Sequence, residues 1–357
     1  MSTSTRWSIE KANEWYAGQP WLTGCNFIPS NAINQLEMWQ AETFDPLTIE
    51  RELGWAADIG FNTVRTFLHD LAWEADPEGL KQRIGCFLEI ATRHGIRPML
   101  VFFDDCWNRH AAIGPQPAPK PGIHNSGWIQ SPGADVVTAD PSTWGRLERY
   151  VTDILTTFAN DERILLWDLY NEPGNSNNGS GSLPLLQCVF EWARAVDPSQ
   201  PLTAGIWFDN KELNKFQLAA SDILSFHNYQ PADGLEKEIA ELELYGRPII
   251  CTEWMARSCG SLVGTHLPVF ASRKVGCINW GLVAGRTNTI FAWQDLNNPM
   301  SRIDVSSVDE CGEPKLWFHD LFRPDGTPYD QAEIEVFKKY AAARTHVSQD
   351  VPLARIA

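Results

Sequence analysis

The feature that most constrains this chain is an alternation carried along most of its length. A short run rich in Ile, Leu, Val and Phe is followed by an amphipathic stretch, and then by another apolar run. Continuous apolar runs read as strands buried on both faces, the pattern of a parallel sheet covered by helices. The strand candidates are 21–28, 61–68, 96–103, 164–172, 201–207, 223–229, 248–254 and 277–283. Helical periodicity lies between them. At 78–94 it puts Leu80, Ile84, Phe87, Leu88 and Ala91 on one face, and Gly95 stops it. Further helices are expected at 46–59, 141–160, 211–220, 234–245 and 265–275, and around Leu186, Val189, Phe190 and Ala193. Eight strand–helix units predict one closed (β/α)8 barrel within a single domain, residues 1–357. Its elements lie at about 20–285 and its closing segment at 286–357, with a last helix at 328–344. An open doubly wound sheet is the alternative, but no G-x-G-x-x-G follows the first strand.

Composition narrows the function classes. The chain has 357 residues, 43% of them hydrophobic and 21% charged, which excludes disordered and collagen-like classes. No stretch reaches the 18 apolar residues of a membrane span. A formal charge of −16 repels phosphate backbones, so neither a nucleic-acid nor a membrane partner is expected. Sixteen tryptophans stand out, since flat rings with one N–H suit sugar faces as well as core volume. Eight cysteines show no C-x-x-C spacing, and Cys25, Cys251 and Cys277 fall inside strand candidates. The first ten residues have no apolar h-region. Together these predict a reducing, cytoplasmic setting.

In such barrels chemistry sits at the C-terminal strand ends. Here those ends carry Arg65, Asp104-Asp105, Asn171-Glu172, His227-Asn228-Tyr229, Glu253-Trp254 and Trp280. Glu172 and Glu253 stand at strands four and seven, on opposing sides of the mouth. Two carboxylates so placed can attack and protonate a glycosidic bond.

The motif Leu169-Tyr170-Asn171-Glu172-Pro173, the run Ile249-Ile250-Cys251-Thr252-Glu253-Trp254, and Arg65, His227-x-Tyr229 and Trp280 occur in strand order. In these residues the chain resembles the barrel glycoside hydrolases of clan A, specifically glycoside hydrolase family 5, over about residues 20–285. The resemblance implies a retaining hydrolase acting on β-linked oligosaccharides without metal or cofactor. It makes Glu172 the general acid and then base, and Glu253 the nucleophile. Arg65 and the Tyr229 hydroxyl would support the Glu253 anion, and Asn171 would contact the sugar 2-hydroxyl. His227 would fix Glu172 or bind sugar, and Trp280 would floor the non-reducing-side sugar. Family members acting on cellulose commonly carry a histidine at the end of strand three, whereas this chain has Asp104-Asp105-Cys106-Trp107. The departure resembles the mannan-cleaving branches and makes Asp104, Asp105 and Trp107 expected sugar contacts, with Trp128 and Trp254.

Two rivals are weaker. A metal-dependent barrel would want H-x-H near strand one, which instead ends at Asn26-Phe27; His69, His94, His110 and His124 lack ligand spacing. A non-catalytic sugar-binding barrel would be expected to lose one of the paired glutamates. The long segment 104–140 and the insert 174–182 follow strands at the mouth and could wall off one end of a cleft. The expectation is therefore an exo-acting β-mannosidase-like enzyme working on short oligosaccharides, with an endo-β-1,4-mannanase or glucanase, a secreted polysaccharide hydrolase, as the alternative.

Overall fold

A computed structural model describes residues 5–293, residue 308 and residues 312–347; Cys311 lies outside them. Eight parallel strands run in chain order: β1 (Thr23–Asn26), β2 (Thr63–Phe67), β3 (Met99–Asp104), β4 (Leu166–Asn171), β5 (Leu202–Thr203), β6 (Leu224–His227), β7 (Ile249–Glu253) and β8 (Gly276–Asn279). Their hydrogen-bonded order is 5-4-3-2-1-8-7-6. The remaining gap between β5 and β6 is closed by a parallel bridge from Ile206 to Phe226, where Ile206 accepts from the His227 N–H. The fold is the (β/α)8 barrel that the alternation predicts.

The helices form where the pattern places them. Helix Pro77–Arg93 starts at an Asp76 cap with proline in its first turn, and it buries all five residues of the expected face. Gly95 then takes φ 67°, which a glycine adopts without strain. Helix Lys211–Ala220 has the expected bounds behind an Asn210 cap, and the last helix is Gln331–Val347. The strands are shorter than their apolar runs, because the flanking residues turn into loops. Helices Gln35–Trp39, Asp70–Ala75 and Ala134–Val137 have no counterpart in the sequence reading, being too short to show a period. Helix Ile9–Ala17 is also new. Its Ala12 packs with Leu22, Met99, Leu166, Ile223, Ile250 and Ile278, plugging the N-terminal end of the barrel.

The barrel interior is layered. Above that lower apolar layer, Phe67, Val101, Cys106, Trp128 and Trp280 form a second one near the mouth. Arg65, two residues before Phe67 on β2, is fully buried there with its guanidinium 4.7 Å from the Phe67 ring centroid. A buried cation must be paired, and its partners build the site above it.

Candidate active site

Glu253 is the last residue of β7, and Glu172 follows β4 at φ 44°, starting the Glu-Pro-Gly turn into the 174–182 insert. Arg65 is the hub beneath them. Its Nε and Nη2 donate to Asp168 Oδ2 at 2.9 and 2.7 Å, and Nη2 also to Asn171 Oδ1 at 2.6 Å. Its Nη1 donates to Asn26 Oδ1 at 2.8 Å and to Glu253 Oε1 at 3.0 Å. The Tyr229 hydroxyl donates to Glu253 Oε2 at 2.9 Å. His227 Nδ1 lies 2.8 Å from Glu172 Oε1 and 3.4 Å from Glu253 Oε2. Glu172 Oε2 faces the Cys106 thiol at 3.1 Å and the Asn175 amide. One carboxylate oxygen of each glutamate and a ring nitrogen of His227 lie within 4.8 Å of one another. That spacing is short for a water to stand between the carboxyls, and it suits direct attack by one of them.

Electrostatics separate the two glutamates. Burial pushes the Glu253 carboxyl up, to about 7, with the neighbouring Glu172 acting in the same sense. Burial pushes Glu172 up as well, against the Cys106 and Asn175 hydrogen bonds. Two carboxyls this close titrate as a pair, and the first charge discourages the second. Arg65 and Tyr229 both bond directly to Glu253 and favour its anion, while Glu172 bonds a thiol, an amide and an imidazole and feels Arg65 only as its last and smallest influence. The singly ionised pair therefore holds its charge on Glu253 and its proton on Glu172. Burial lowers His227 to about 4, so the ring between them is neutral near pH 7. The three groups also have the spacing of a metal triad, but Glu253 already faces the Arg65 guanidinium, which disfavours a cation there.

The pair opens into a cavity of about 1040 Å³, whose walls include Asn171, Glu172, His227, Tyr229, Glu253 and Trp280. Trp107 and Trp128 also line it, as the sequence predicts for sugar contacts. Four predicted contacts do not line it. Arg65 is fully buried beneath the carboxylates and acts as their positioning cation. Asp104 is buried and accepts from Trp128 Nε1 at 2.7 Å, Asn171 Nδ2 at 2.9 Å and the Cys106 N–H at 2.9 Å, so it orients neighbours of the cavity. Asp105 points away, accepting from the Tyr170 hydroxyl, the Gly174 N–H and Ser182 Oγ, and holds the 174–182 insert. Trp254 is fully buried behind β7, its ring stacked on His266 at 5.8 Å and near Phe270 at 5.3 Å.

Other residues at the site were missed. Asp168 anchors Arg65 from inside β4, yet it and Asn171 are three apart, which strict alternation would put on opposite faces. Cys106 and Asn175 touch Glu172 from loops. His124, His319 and Trp293 reach the cavity from segments without periodicity, and Trp207 from the end of the fifth strand candidate, beyond the residues that pair as β5.

The 104–140 segment does more than line the cavity. It crosses the mouth from the end of β3 to segments after β1 and β8. Gly127 O accepts from Asn34, and the Gly114 N–H donates to Gln40. On the far side the Asn125 N–H donates to Thr287 O, His124 Nδ1 to Phe291 O, and Asn288 Nδ2 to Lys120 O.

A family model described as Cellulase (glycosyl hydrolase family 5) matches residues 23–285. The chain belongs to glycosyl hydrolase family 5. It is thus a retaining glycoside hydrolase of the two-glutamate type. Curated protein sequences gave no match. Among solved structures, this family 5 chain is similar to a GH5_18 variant from Streptomyces cattleya in complex with Manβ1-4GlcNAc. Identity is 12% and the TM-score 0.60, covering 94% of this chain and 82% of that one. It is similar to the exo-β-1,4-mannosidase of Opitutaceae bacterium strain TAV5, at 17% identity and TM-score 0.59, over 92% of this chain and 60% of that one. The endo-1,4-β-D-mannanase of Thermotoga petrophila RKU-1 matches at 14% identity and TM-score 0.55, over 89% and 99%. At these identities the likeness concerns the fold.

Proposed function

We propose that the protein is an exo-acting β-mannosidase-like enzyme that removes single sugars from the non-reducing end of short β-1,4-linked oligosaccharides. Glu253 is the nucleophile and Glu172 the acid and then base. Glu253 attacks the anomeric carbon while Glu172 gives its proton to the departing oxygen, leaving a glycosyl ester on Glu253. Glu172, now a base, takes a proton from water, which attacks the same carbon and frees Glu253. Arg65 and Tyr229 hold the nucleophile ionised in the first half and receive its returning charge in the second. Asn171, held between Arg65 and Asp104, is positioned beside the sugar at the bond-breaking centre.

The observation that carries the exo reading is the span of the 104–140 segment. The leaving group must lie on the side of its acid, Glu172, toward β5, where the adjacent rings of Trp207 and Phe208 line the cavity. The terminal sugar lies on the other side, over Trp280 and beside Glu253. That is the end crossed by 104–140, fastened to the segments after β1 and β8. A sugar chain continuing past the terminal unit would meet this crossing. The mannoside lean is supported by the strand-three departure and by the mannosidases among the similar folds. A time course on β-1,4-manno-oligosaccharides tests both points, with gluco- and xylo-oligosaccharides alongside. Monosaccharide plus a chain one unit shorter, from the earliest points, is the expected product. A ladder of intermediate lengths would instead establish an endo-acting enzyme.

A further inference from the structure

Two buried histidines at the closed end of the cavity take no part in the mechanism above. His319 is fully buried, His124 is 2% exposed, and both line the cavity. Their ring centroids are 5.4 Å apart. They continue into a row of rings: Trp107 lies 5.4 Å from His124 at the rim, and Tyr229 lies 5.6 Å from His319 at the inner end. Tyr229 touches the nucleophile, and Trp280 faces His319 at 6.5 Å. A sugar resting on Trp280 with its anomeric carbon at Glu253 has this row along its flank.

The protonation pattern of the row follows from its hydrogen bonds. His319 Nδ1 lies 2.5 Å from Met255 O, and His124 Nδ1 lies 2.8 Å from Phe291 O. A carbonyl oxygen only accepts, so each Nδ1 carries the hydrogen. In a neutral imidazole the other nitrogen is then an acceptor. Burial holds both rings neutral, lowering His124 to about 4 and His319 well below its usual value, with His124 beside it acting in the same sense. Neither Nε2 has a partner among the described residues, and His319 Nε2 is buried. Asn125 Oδ1, on the same wall, is likewise buried without a partner among them. Buried acceptors left unpaired are costly, so such a wall calls for a ligand that donates.

Resting on the reading of Glu253 and Trp280 as the seat of the terminal sugar, we propose that His319 and His124 form a specificity-determining wall that accepts hydrogen bonds from that sugar's hydroxyls. The ligand class is a neutral hexose that presents O–H donors to this side. A sugar whose hydroxyl there is missing, or replaced by an acceptor, leaves the nitrogens unpaired and is rejected.

The test pairs wall variants with substrates that lose one donor at a time. Aryl β-mannosides carrying fluorine in place of the 3-, 4- or 6-hydroxyl keep an acceptor and lose the donor. The wild type should lose about 10- to 100-fold in kcat/KM at the position or positions that face the wall. His319→Phe keeps the ring volume and should lose a similar factor on the unmodified mannoside. On the analogue fluorinated at the facing position, however, it should act within about 2-fold of the wild type, the loss being already present in the substrate. If His319→Phe does not fold, as judged by its melting curve, His124→Phe is read on the same analogues. Equal losses by the folded variant on the mannoside and all three analogues would overturn the wall while leaving the functional reading standing. A wild type that hydrolyses no aryl β-glycoside would overturn both.

Discussion

Replacing Tyr229 with phenylalanine removes one hydroxyl and keeps the ring that packs on Trp293 at 4.9 Å and on His319. The lost contact is the 2.9 Å donation to Glu253 Oε2; Arg65 stays on Oε1. A hydrogen bond to a charged group contributes about 1.5–3 kcal/mol. At about 1.4 kcal/mol per pH unit, Glu253 should then titrate about one to two pH units higher. A donor to the anion favours the charged form, so its removal raises the pKa, and the acidic limb of the kcat/KM profile moves up by that amount. The charge on Glu253 is also what returns when the glycosyl ester is hydrolysed. Without Tyr229 that step should slow by about 10- to 100-fold. With a dinitrophenyl β-glycoside, where expulsion of the leaving group needs little help, stopped-flow should show a burst of one dinitrophenolate per enzyme before a slow steady state. An unmoved acidic limb together with no burst would refute the assignment of Glu253 as nucleophile and of Tyr229 as its donor.

The acid and the nucleophile separate by leaving group and by rescue. Glu172→Ala should retain activity on activated aryl glycosides while losing natural ones, and azide should restore Glu253→Ala through a glycosyl azide of inverted configuration; equal damage to both substrate types by Glu172→Ala would reverse the roles. Cys106 donates to Glu172 Oε2 at 3.1 Å and so favours its carboxylate; Cys106→Ala should raise the Glu172 pKa and move the alkaline limb of kcat/KM upward, and a downward move would contradict that donation. Trp254→Phe should leave KM within about 2-fold while lowering the melting temperature, since the ring packs behind β7; a several-fold rise in KM would put it back among the sugar contacts.

The barrel was legible because its signal repeats. Eight apolar runs bounded by amphipathic helices leave few other ways to cover both faces of each strand. The glutamates and their neighbours were legible because strand ends fix both position and direction: once β2, β4, β6, β7 and β8 are placed, Arg65, Glu172, His227, Glu253 and Trp280 must converge. What failed was depth along the strand axis. Asp104, Asp105 and Trp254 stand at strand ends as Glu253 does, yet each turns into the protein. A strand end tells which residues are near the mouth, but a shift of one residue changes the face that a side chain takes. Asp168 was missed for the same reason, since β4 does not keep strict alternation between it and Asn171.

The strand-three departure shows how such an error can still point at the right place. An aspartate where cellulose-acting relatives commonly have a histidine suggests a new polar contact for the sugar. Asp104 is instead buried, and it spends its oxygens on Trp128, Asn171, Gln35 and the Cys106 N–H. It thereby fixes the indole of Trp128, whose ring meets Phe67 at 5.2 Å and Trp280 at 5.7 Å, and the Asn171 amide that lines the cavity. The imidazoles that line this end come from His124 and His319, 195 residues apart in the chain. No local pattern could have joined them. They meet because the 104–140 segment is fastened across β2 and β1 to the segment after β8, by the Asn125 N–H on Thr287 O and by the side chains of Asn34, Gln40, His124 and Asn288 on backbone groups, partners too far apart in sequence to form a local pattern. The crossing of the mouth and the meeting of its imidazoles thus arise from one structural event, and on the exo reading proposed above, anything that frees that loop should bring a ladder of product lengths and weaker discrimination among the fluorinated mannosides together.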